Sequence, residues 1–431
     1  MTVALTGAAC AQEAFRDSPF AGLDGDIVVA IADGDFRAST YGDQLLASPD
    51  PALQDRLLVW RLGTADPTHI PVTNSVTSPP EILAVSPDRR FAYVVERLGQ
   101  RGPGILRTPD LSPGGQLSAV PLTGDPSQGR STVSLGPNPE AIDLRADGRM
   151  LASVSNTPDR SLVHLIPVNG GTLSPPITFD LADLGITGQS SGPRGSVTAT
   201  SVFWQPGAQV LAVTINTQNR VAFFRVEGAG DALRLTPWGA SIETGRDPFT
   251  GRFTPDGRHF LTLDWGRDFA ATSLEGRLPT MLSRISVIRV AHAGDIAGSH
   301  RRIGDAATDL SSEGIAVSPD GTLVAAINMR QTALPRQAAR YTPNASVVLL
   351  HFNDMTGVLT PIDRAEFPGV LPEGAAFDRS GRKLVVTAFE RRDASGGALH
   401  VFGIEGSGTA ARLVDQGFVE TPHGVHHVVI R

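Results

Sequence analysis

The sequence predicts an all-β protein, a seven-bladed β-propeller built from four-stranded blades. Three observations carry this prediction. The 431 residues include 46 glycines and 32 prolines, well above average usage, which favours short elements joined by many turns. One phrase of two apolar stretches around a tight turn recurs six times. An incomplete copy of the same phrase stands at each end of the chain.

Each complete copy is predicted to be a β-hairpin. It opens on a starting residue, runs through an apolar stretch, turns at an Asp-Gly or similar pair, and ends its second apolar stretch on a polar residue. Such a pair supplies the positive φ that a two-residue connection needs. Further strand-like runs, such as 346–350 and 398–402, follow the hairpins, so the repeating unit is a four-stranded sheet. The complete copies start at Glu81, Glu140, Thr200, Phe249, Glu313 and Glu373.

The two ends of the chain complete each other. Residues 422–430 read like the start of a repeat but stop before its turn, and residues 26–33 read like an isolated second strand. Pairing the C-terminal strand with the N-terminal strand closes a ring of seven blades and removes the exposed sheet edges of an open array. Two stacked β-sandwiches would not give complementary half-repeats at both termini.

Composition excludes several classes of protein. The 37 basic and 44 acidic residues give a net charge of −7 without long blocks of one sign, which argues against a nucleic-acid partner. The absence of an apolar run near 18 residues argues against a membrane span. The single cysteine, Cys10, excludes a disulfide scaffold and a cysteine zinc site. We expect a monomer.

The N-terminal segment predicts export. Ala9-Cys10-Ala11 has the small-residue form of a signal-peptidase site and follows a short apolar stretch. We therefore interpret residues 1–11 as a signal-peptide remnant, 12–25 as a lead-in, and 26–431 as a single propeller domain. The mature chain is expected to begin near Gln12, in the periplasm or outside the cell.

The turn Ser318-Pro319-Asp320-Gly321, followed by the strand 323–328, resembles the YVTN-type and lactonase-like seven-bladed propellers. That family includes 6-phosphogluconolactonase and the propeller-type carboxymuconate cyclases, and the resemblance covers residues 26–431. It implies a hydrolase or cycloisomerase that acts on a small oxygenated ring. Because the same repeat also serves as a scaffold, a non-catalytic propeller that binds a protein or a glycan is the alternative.

A ring of polar side chains is predicted at one mouth of the central channel. The first strand of each blade lines the channel and the second runs back antiparallel, so the start of one and the end of the other share a face. This geometry collects fourteen positions, eight of them carboxylates. The starting residues are the six above and His423, and the ending residues are Asp33, Glu96, Asn156, Asn216, Asp264, Asn328 and Glu390.

Carboxylates crowded in a partly dry channel need a compensating charge. The candidates are the arginines that follow ending residues, or a divalent cation (Ca²⁺ or Mg²⁺) with oxygen ligands. Alternatively, the ring only caps strand ends through backbone amides. If a small molecule or glycan binds here, the candidate catalytic residues are His423, Glu313, Glu373, Glu81 and Arg391, and the candidate substrate-binding residues are Arg97, Arg330, Glu96, Glu390, Asn328 and Asp264.

Long loops point to the same mouth. The loops after Asp33, Glu96, Asp264 and Asn328 run to roughly 15 to 22 residues, longer than ordinary connections, and such loops in compact domains are often functional. All four leave the face that carries the polar ring, so they are expected to wall a pocket over the channel. Residues available to line it are Phe36, Arg37, Tyr41, Arg101, Phe269, Met281, Arg336, Arg340 and Tyr341.

Overall fold

The computed structural model describes residues 18–50, 54–64, 66–73, 81–188, 197–292, 294–392 and 396–431. The predicted signal-peptide remnant and the expected cleavage point near Gln12 lie outside these residues. Within the described ranges the strands form seven antiparallel sheets, each with a path of four strands. The prediction of a seven-bladed propeller with four-stranded blades is therefore confirmed.

The blades follow the order of the chain. Short additional strands, β11 and β17, extend blades 3 and 4. The first four blades comprise β1 (Ile27–Ala32), β2 (Arg56–Arg61) and β3 (Thr68–Pro71); β4 (Leu83–Val85), β5 (Phe91–Val95), β6 (Gln116–Pro121) and β7 (Ser131–Ser134); β8 (Pro139–Leu144), β9 (Met150–Asn156), β10 (Ser161–Asn169), β11 (Thr172–Leu173) and β12 (Ile177–Asp180); and β13 (Ala199–Trp204), β14 (Val210–Ile215), β15 (Arg220–Glu227), β16 (Arg234–Pro237) and β17 (Ile242–Glu243).

The last three blades repeat the pattern, and the final strand joins blade 1. Two single-turn helices, α1 (Thr40–Asp43) and α2 (Leu274–Arg277), lie in loops. The strands are β18 (Pro248–Phe253), β19 (His259–Asp264), β20 (Arg284–Arg289) and β21 (Arg301–Ala307); β22 (Ser312–Val317), β23 (Leu323–Asn328), β24 (Ala345–Asn353) and β25 (Val358–Phe367); β26 (Ala375–Phe377), β27 (Lys383–Ala388), β28 (Gly397–Glu405) and β29 (Arg412–Thr421); and β30 (Val425–Ile430).

The ring closes between the termini as predicted. Strand β30 pairs antiparallel with β1, with Val429 opposite Val29. The first strand of every blade contacts the first strands of both neighbouring blades, so these seven strands surround the central channel. Apolar side chains from adjacent blades pack together around the ring. No helix among the described residues is long and apolar enough to cross a membrane.

The predicted Asp-Gly hairpin turns form at the face opposite the long loops. Gly148, Gly257 and Gly321 all have φ between +69° and +76°, the left-handed region that glycine adopts without strain. The preceding aspartate accepts a hydrogen bond from the amide two residues onward, as at Asp320, where Thr322 donates at 3.0 Å. The turn sequence thus fixes where each first strand ends and its second strand begins.

Four first strands carry a β-bulge at the predicted starting residue. The register with the second strand shifts at Glu140 in β8, Thr200 in β13, Phe249 in β18 and Glu313 in β22. A bulge leaves one residue without a partner opposite and turns its side chain away from the regular alternation. These four side chains are therefore aimed by the bulge, a feature that apolar periodicity alone does not reveal.

Candidate functional site

The long loops form a cap over one mouth of the channel, as predicted. The cap has its own apolar cluster, in which Phe36, Trp265 and Met329 from three different loops pack with Phe249 of β18. Beneath it lies a cavity of about 380 Å³ whose walls come from the loops after β1, β5, β19 and β23 and from the start of β22. Its polar lining includes Thr40, Gln44, Arg97, Thr108, Arg267, Asp268, Arg277 and Glu313.

Two buried carboxyl groups from neighbouring blades meet at the base of this cavity. Glu313 stands at the bulge of β22 and Glu373 stands two residues before β26; both are buried. Burial, and then the charge of Glu373, raise the pKa of Glu313 well above its usual value, and the Arg267 charge only partly offsets this. The pair therefore retains a proton at pH values where an exposed glutamate has lost it.

The glycine after Glu313 explains why the two strands approach so closely. A Cβ atom on Gly314 would collide with the backbone carbonyl of Glu373. Only glycine leaves room for this contact. The Glu-Gly pair at 313–314 thus brings the two glutamates together.

Arg267 lines the same cavity, its charge acts on Glu313, and it was not among the predicted site residues. Its guanidinium donates to both oxygens of Asp247, at 2.7 and 3.1 Å, and lies 3.9 Å from the centre of the Trp265 ring and 4.6 Å from that of Phe249. Arg267 follows the ending residue Asp264 by three positions, whereas the predicted arginines follow an ending residue by one or two positions. The aromatic residues on either side were the available signal.

Arg97 supplies the second cation at this mouth. It donates to Glu140 of β8 at 3.0 Å, and only 15% of its side chain is exposed. The prediction that an arginine after an ending residue neutralises a channel carboxylate is thus right for Arg97. Together with Arg267 and Arg277, it gives the cavity three guanidinium groups beside apolar walls.

His423 and Glu390 lie next to each other and hold the first long loop. The Nε2 of His423 donates to the carbonyl oxygen of Phe36, and its Nδ1 lies 3.8 Å from Glu390. Glu390 accepts a hydrogen bond from the amide of Ala38 at 2.7 Å. Neither side chain lines the cavity beneath the cap, so the structure gives both of them a positioning role in this loop.

Two of the predicted arginines do not compensate the channel carboxylates. Arg391 forms an ion pair with Glu420 on β29, the outer strand of its blade. Arg330 pairs with Glu366 of β25 at 3.0 Å. The expectation failed because a residue just past a strand end can direct a long side chain along the outside of its own sheet.

Glu96 accepts hydrogen bonds from the Gly115 amide and the Thr73 hydroxyl, and burial raises its pKa.

Most of the remaining ending residues bond to backbone and hydroxyl groups, as the alternative interpretation expected. Asn156 exchanges two hydrogen bonds with the backbone of Ala199 in the next blade, at 2.8 and 3.0 Å. Asn328 bonds to Ser312 and to Ser346. Asp264 accepts from Ser286, Thr262 and the Gly245 amide, and burial raises its pKa to about 7. These side chains join neighbouring strands and lie away from the cavity under the cap.

Glu81 lies inside the channel, below the carboxyl pair's cavity. The guanidinium of Arg252, from β18 on the far side of the ring, lies 2.7 Å from one carboxylate oxygen of Glu81 and 2.9 Å from the other. The hydroxyl of Thr250 donates a hydrogen bond to Glu81 at 2.9 Å. Burial opposes ionisation, but the charges of Arg252 and His427 and these hydrogen bonds hold the pKa of Glu81 below its usual value. Arg252 was not predicted, because nothing in the sequence places these two blades opposite each other.

No divalent-cation ligand set emerges in the part of the chain that the structure describes, where no three His, Cys, Asp or Glu side chains are arranged to hold a metal ion. Among the channel carboxylates, Glu140 pairs with Arg97 and Glu81 pairs with Arg252. The two halves of the predicted ring therefore differ: the starting residues gather in the channel, and most ending residues secure the blades.

Comparison with known proteins identifies the fold. No family model and no curated protein matches the chain. Among solved structures, the periplasmic gluconolactonase PpgL of Pseudomonas aeruginosa is 20% identical over 94% of this chain and 99% of its own, with a TM-score of 0.57. A protein from Bacteroides uniformis proposed as a 6-phosphogluconolactonase is 16% identical over 94% and 100%, with a TM-score of 0.61. The chain therefore resembles the lactonase-like propellers in fold, as predicted.

Proposed function

We propose that this protein is a lactonase-type hydrolase that opens a small cyclic ester in the cavity under the cap. The observation that carries the proposal is the buried Glu313–Glu373 pair at the base of a cavity that Arg97 and Arg267 also line. Two carboxyl groups that hold one proton between them present a base and an acid side by side. A base that activates water and an acid that protonates the leaving oxygen both accelerate ester hydrolysis.

The proposed reaction uses each group of the pair once. The ionised carboxylate takes a proton from water as the oxygen attacks the lactone carbonyl. The protonated carboxyl donates its proton to the ring oxygen as the carbon–oxygen bond breaks. The product is an open-chain hydroxy acid. Arg97 or Arg267 would stabilise the negative charge that develops on the carbonyl oxygen, or hold an anionic substituent of the substrate.

The burial of Glu313 sets a condition on this mechanism. Its side chain lines the cavity but is fully buried, so the substrate can reach the carboxyl group only if a group that covers it moves aside. Phe269 and Leu274, on the loop that contains α2, line the cavity and are partly exposed. We infer that this loop opens when the substrate enters.

A panel of γ- and δ-lactones, with and without a carboxylate substituent, tests the proposal by acid release in a pH-stat. Glu313→Gln and Glu373→Gln should each lower kcat by about 10²- to 10⁴-fold, the usual contribution of acid–base catalysis. Asp264→Asn is the matched control, since Asp264 is a buried carboxyl with a raised pKa outside the cavity. Full activity in both glutamine variants, or no turnover of any lactone by folded protein, would refute the assignment.

We also propose export to the periplasm or beyond. The small-residue site Ala9-Cys10-Ala11 supports it, as does similarity in fold to a periplasmic gluconolactonase. Mass spectrometry of protein purified from its native host should find a chain that begins near Gln12. A retained Met1 or a lipid on Cys10 would overturn the assignment.

Non-catalytic binding through the cap is the second candidate. The observation in its favour is a set of exposed apolar side chains on the cap loops: Leu45, Leu106, Met281 and Leu282 are 43 to 79% exposed. Such residues suit contact with a protein or the apolar face of a glycan. Leu106→Ser with Met281→Ser would then abolish ligand capture, whereas the hydrolase proposal expects unchanged lactone turnover in the same variant.

A further inference from the structure

The opposite end of the channel contains a second and larger cavity. A space of about 1030 Å³ opens between the hairpin turns, and a space of about 360 Å³ continues from it into the channel. Both are lined by Asp143, Trp204 and Phe377. The inner space ends at Glu81 and Arg252, whose ion pair crosses the channel. This cavity is separate from the one beneath the cap, with which it shares no lining residue.

The inner end of this cavity presents polar groups that are accessible from within the channel. Arg252 keeps 26% of its side chain exposed although it binds Glu81. Asp143 of β8 is surrounded by protein, but part of its side chain faces the open space of the channel. One of its carboxylate oxygens accepts a hydrogen bond from the backbone amide of Trp204 at 2.7 Å. The cavity thus offers a guanidinium donor and a carboxyl group that can accept or donate a proton.

The charges at this inner end balance one another. Arg252 is neutralised by Glu81, and Asp143 attracts Arg431. Burial raises the pKa of Asp143 to about 7 against the opposing effects of the Trp204 amide and the Arg252 charge, and the charge of Glu81 adds a smaller upward effect. An anion entering the channel would approach the carboxyl groups of Glu81 and Asp143, and a cation would approach the guanidinium groups of Arg252 and Arg431. The electrostatics therefore favour a ligand without net charge.

The walls supply apolar contact between these polar groups. Phe203, Phe253 and Phe377 line the inner space with aliphatic residues of the first strands. We propose that this end of the channel is a second ligand site, which takes a neutral, hydroxyl-bearing ring of about the size of a monosaccharide. Hydroxyl groups of such a ring would pair with Arg252 and Asp143, and its C–H faces would pack on the phenylalanines.

Tryptophan fluorescence can distinguish the two cavities in the full-length protein. Trp204 lines this cavity and Trp265 lines the one under the cap, whereas Trp60 and Trp238 are buried elsewhere, each 1% exposed. Titration with D-glucose, D-galactose and myo-inositol should give a saturable change for at least one of them in the Trp265→Phe variant. The same titration of Trp204→Phe should give none. Gluconate and glucosamine, charged probes of equal size, should bind at least about tenfold more weakly.

A cavity-filling variant supplies the second test. Ala376 lines the inner space on β26 and is partly exposed to it, so Ala376→Phe should abolish the Trp204 response without removing a polar group, with the melting transition as the check on folding. The proposal is overturned if none of the neutral probes gives a saturable response, if Trp204→Phe retains the response, or if folded Ala376→Phe binds as well as the parent protein. If gluconate or glucosamine binds as tightly as the neutral probes, the balance of charges does not select a neutral ligand, and the proposal of a neutral ring is overturned.

Discussion

Breaking the buried ion pair between Glu81 and Arg252 in the channel should destabilise the fold, and Arg252→Met tests this prediction. Methionine keeps most of the apolar stem but removes the guanidinium that contacts both oxygens of Glu81. Glu81 is 5% exposed, so the variant leaves a buried carboxylate without its cation. Loss of one partner from a buried pair costs about 3–5 kcal/mol. The lower end applies, because Arg252 is 26% exposed.

This cost converts into a modest shift of the melting temperature. An unfolding entropy of about 2.1 cal/mol/K per residue gives about 0.9 kcal/mol/K for a chain of this length, so about 3 kcal/mol lowers Tm by about 3 °C. The shift should depend on pH. Since the pKa of Glu81 is lowered in the folded protein, the pair stabilises the fold above the unfolded pKa of glutamate, and this contribution disappears as acid protonates Glu81.

Differential scanning calorimetry at pH 7 and pH 4, at one scan rate, measures both effects. Arg391→Met is the matched control, since its partner Glu420 is 76% exposed and a surface pair contributes at most about 1 kcal/mol. The double variant Glu81→Gln with Arg252→Met should recover part of the loss, because it removes the unpaired charge. Equal Tm shifts for Arg252→Met and Arg391→Met at pH 7, or a double variant no more stable than Arg252→Met alone, would refute the reasoning.

Three further predictions follow from other parts of the fold. Burial raises the pKa of Asp264 to about 7 in the folded protein, whereas the unfolded chain releases this proton near the ordinary pKa of aspartate. The free energy of unfolding should therefore fall as the pH rises from 4 to 7. In urea titrations at pH 8, Asp264→Asn should remove up to about 4 kcal/mol of that loss. Deletion of 424–431 removes β30, so it should expose the edge of β1 and leave β4 and β26 without the strand that packs between them. The truncated protein should therefore not accumulate in soluble form; a soluble truncation with the parent Tm would contradict ring closure. Arg267→Lys should lower the free energy of unfolding by about 1–2 kcal/mol, because lysine cannot make the paired hydrogen bonds to Asp247. It should also shift the fluorescence emission of Trp265, because lysine cannot stack on the indole; an unchanged emission spectrum would show that the stacking is absent in solution.

The candidate site was only partly predictable, because the repeat fixes positions along the strands and not the directions of long side chains. The repeat placed Glu140, Thr200 and Glu313 at equivalent positions, and the structure finds all three at the same kind of register shift. Arg97 was found because it directly follows an ending residue and its side chain reaches Glu140 of the next blade. Arg391 was misplaced because the direction of a long side chain beyond a strand end depends on the packing of the outer strands, here on Glu420 and Phe418, which the repeat does not encode.

Local sequence alone determined the architecture of this protein. Turn chemistry and alternating apolar stretches specify each hairpin, and the half-repeats at the two ends specify the closure of the ring, because both depend on residues that are neighbours along the chain or equivalent by repetition. The tertiary structure decided which charges meet. Glu81 and Arg252 are 171 residues apart, and they pair only because a ring of seven blades brings the second and fifth to opposite sides of one narrow channel. Contacts across a closed ring depend on its curvature and on the reach of individual side chains, and neither can be read from the period of the repeat.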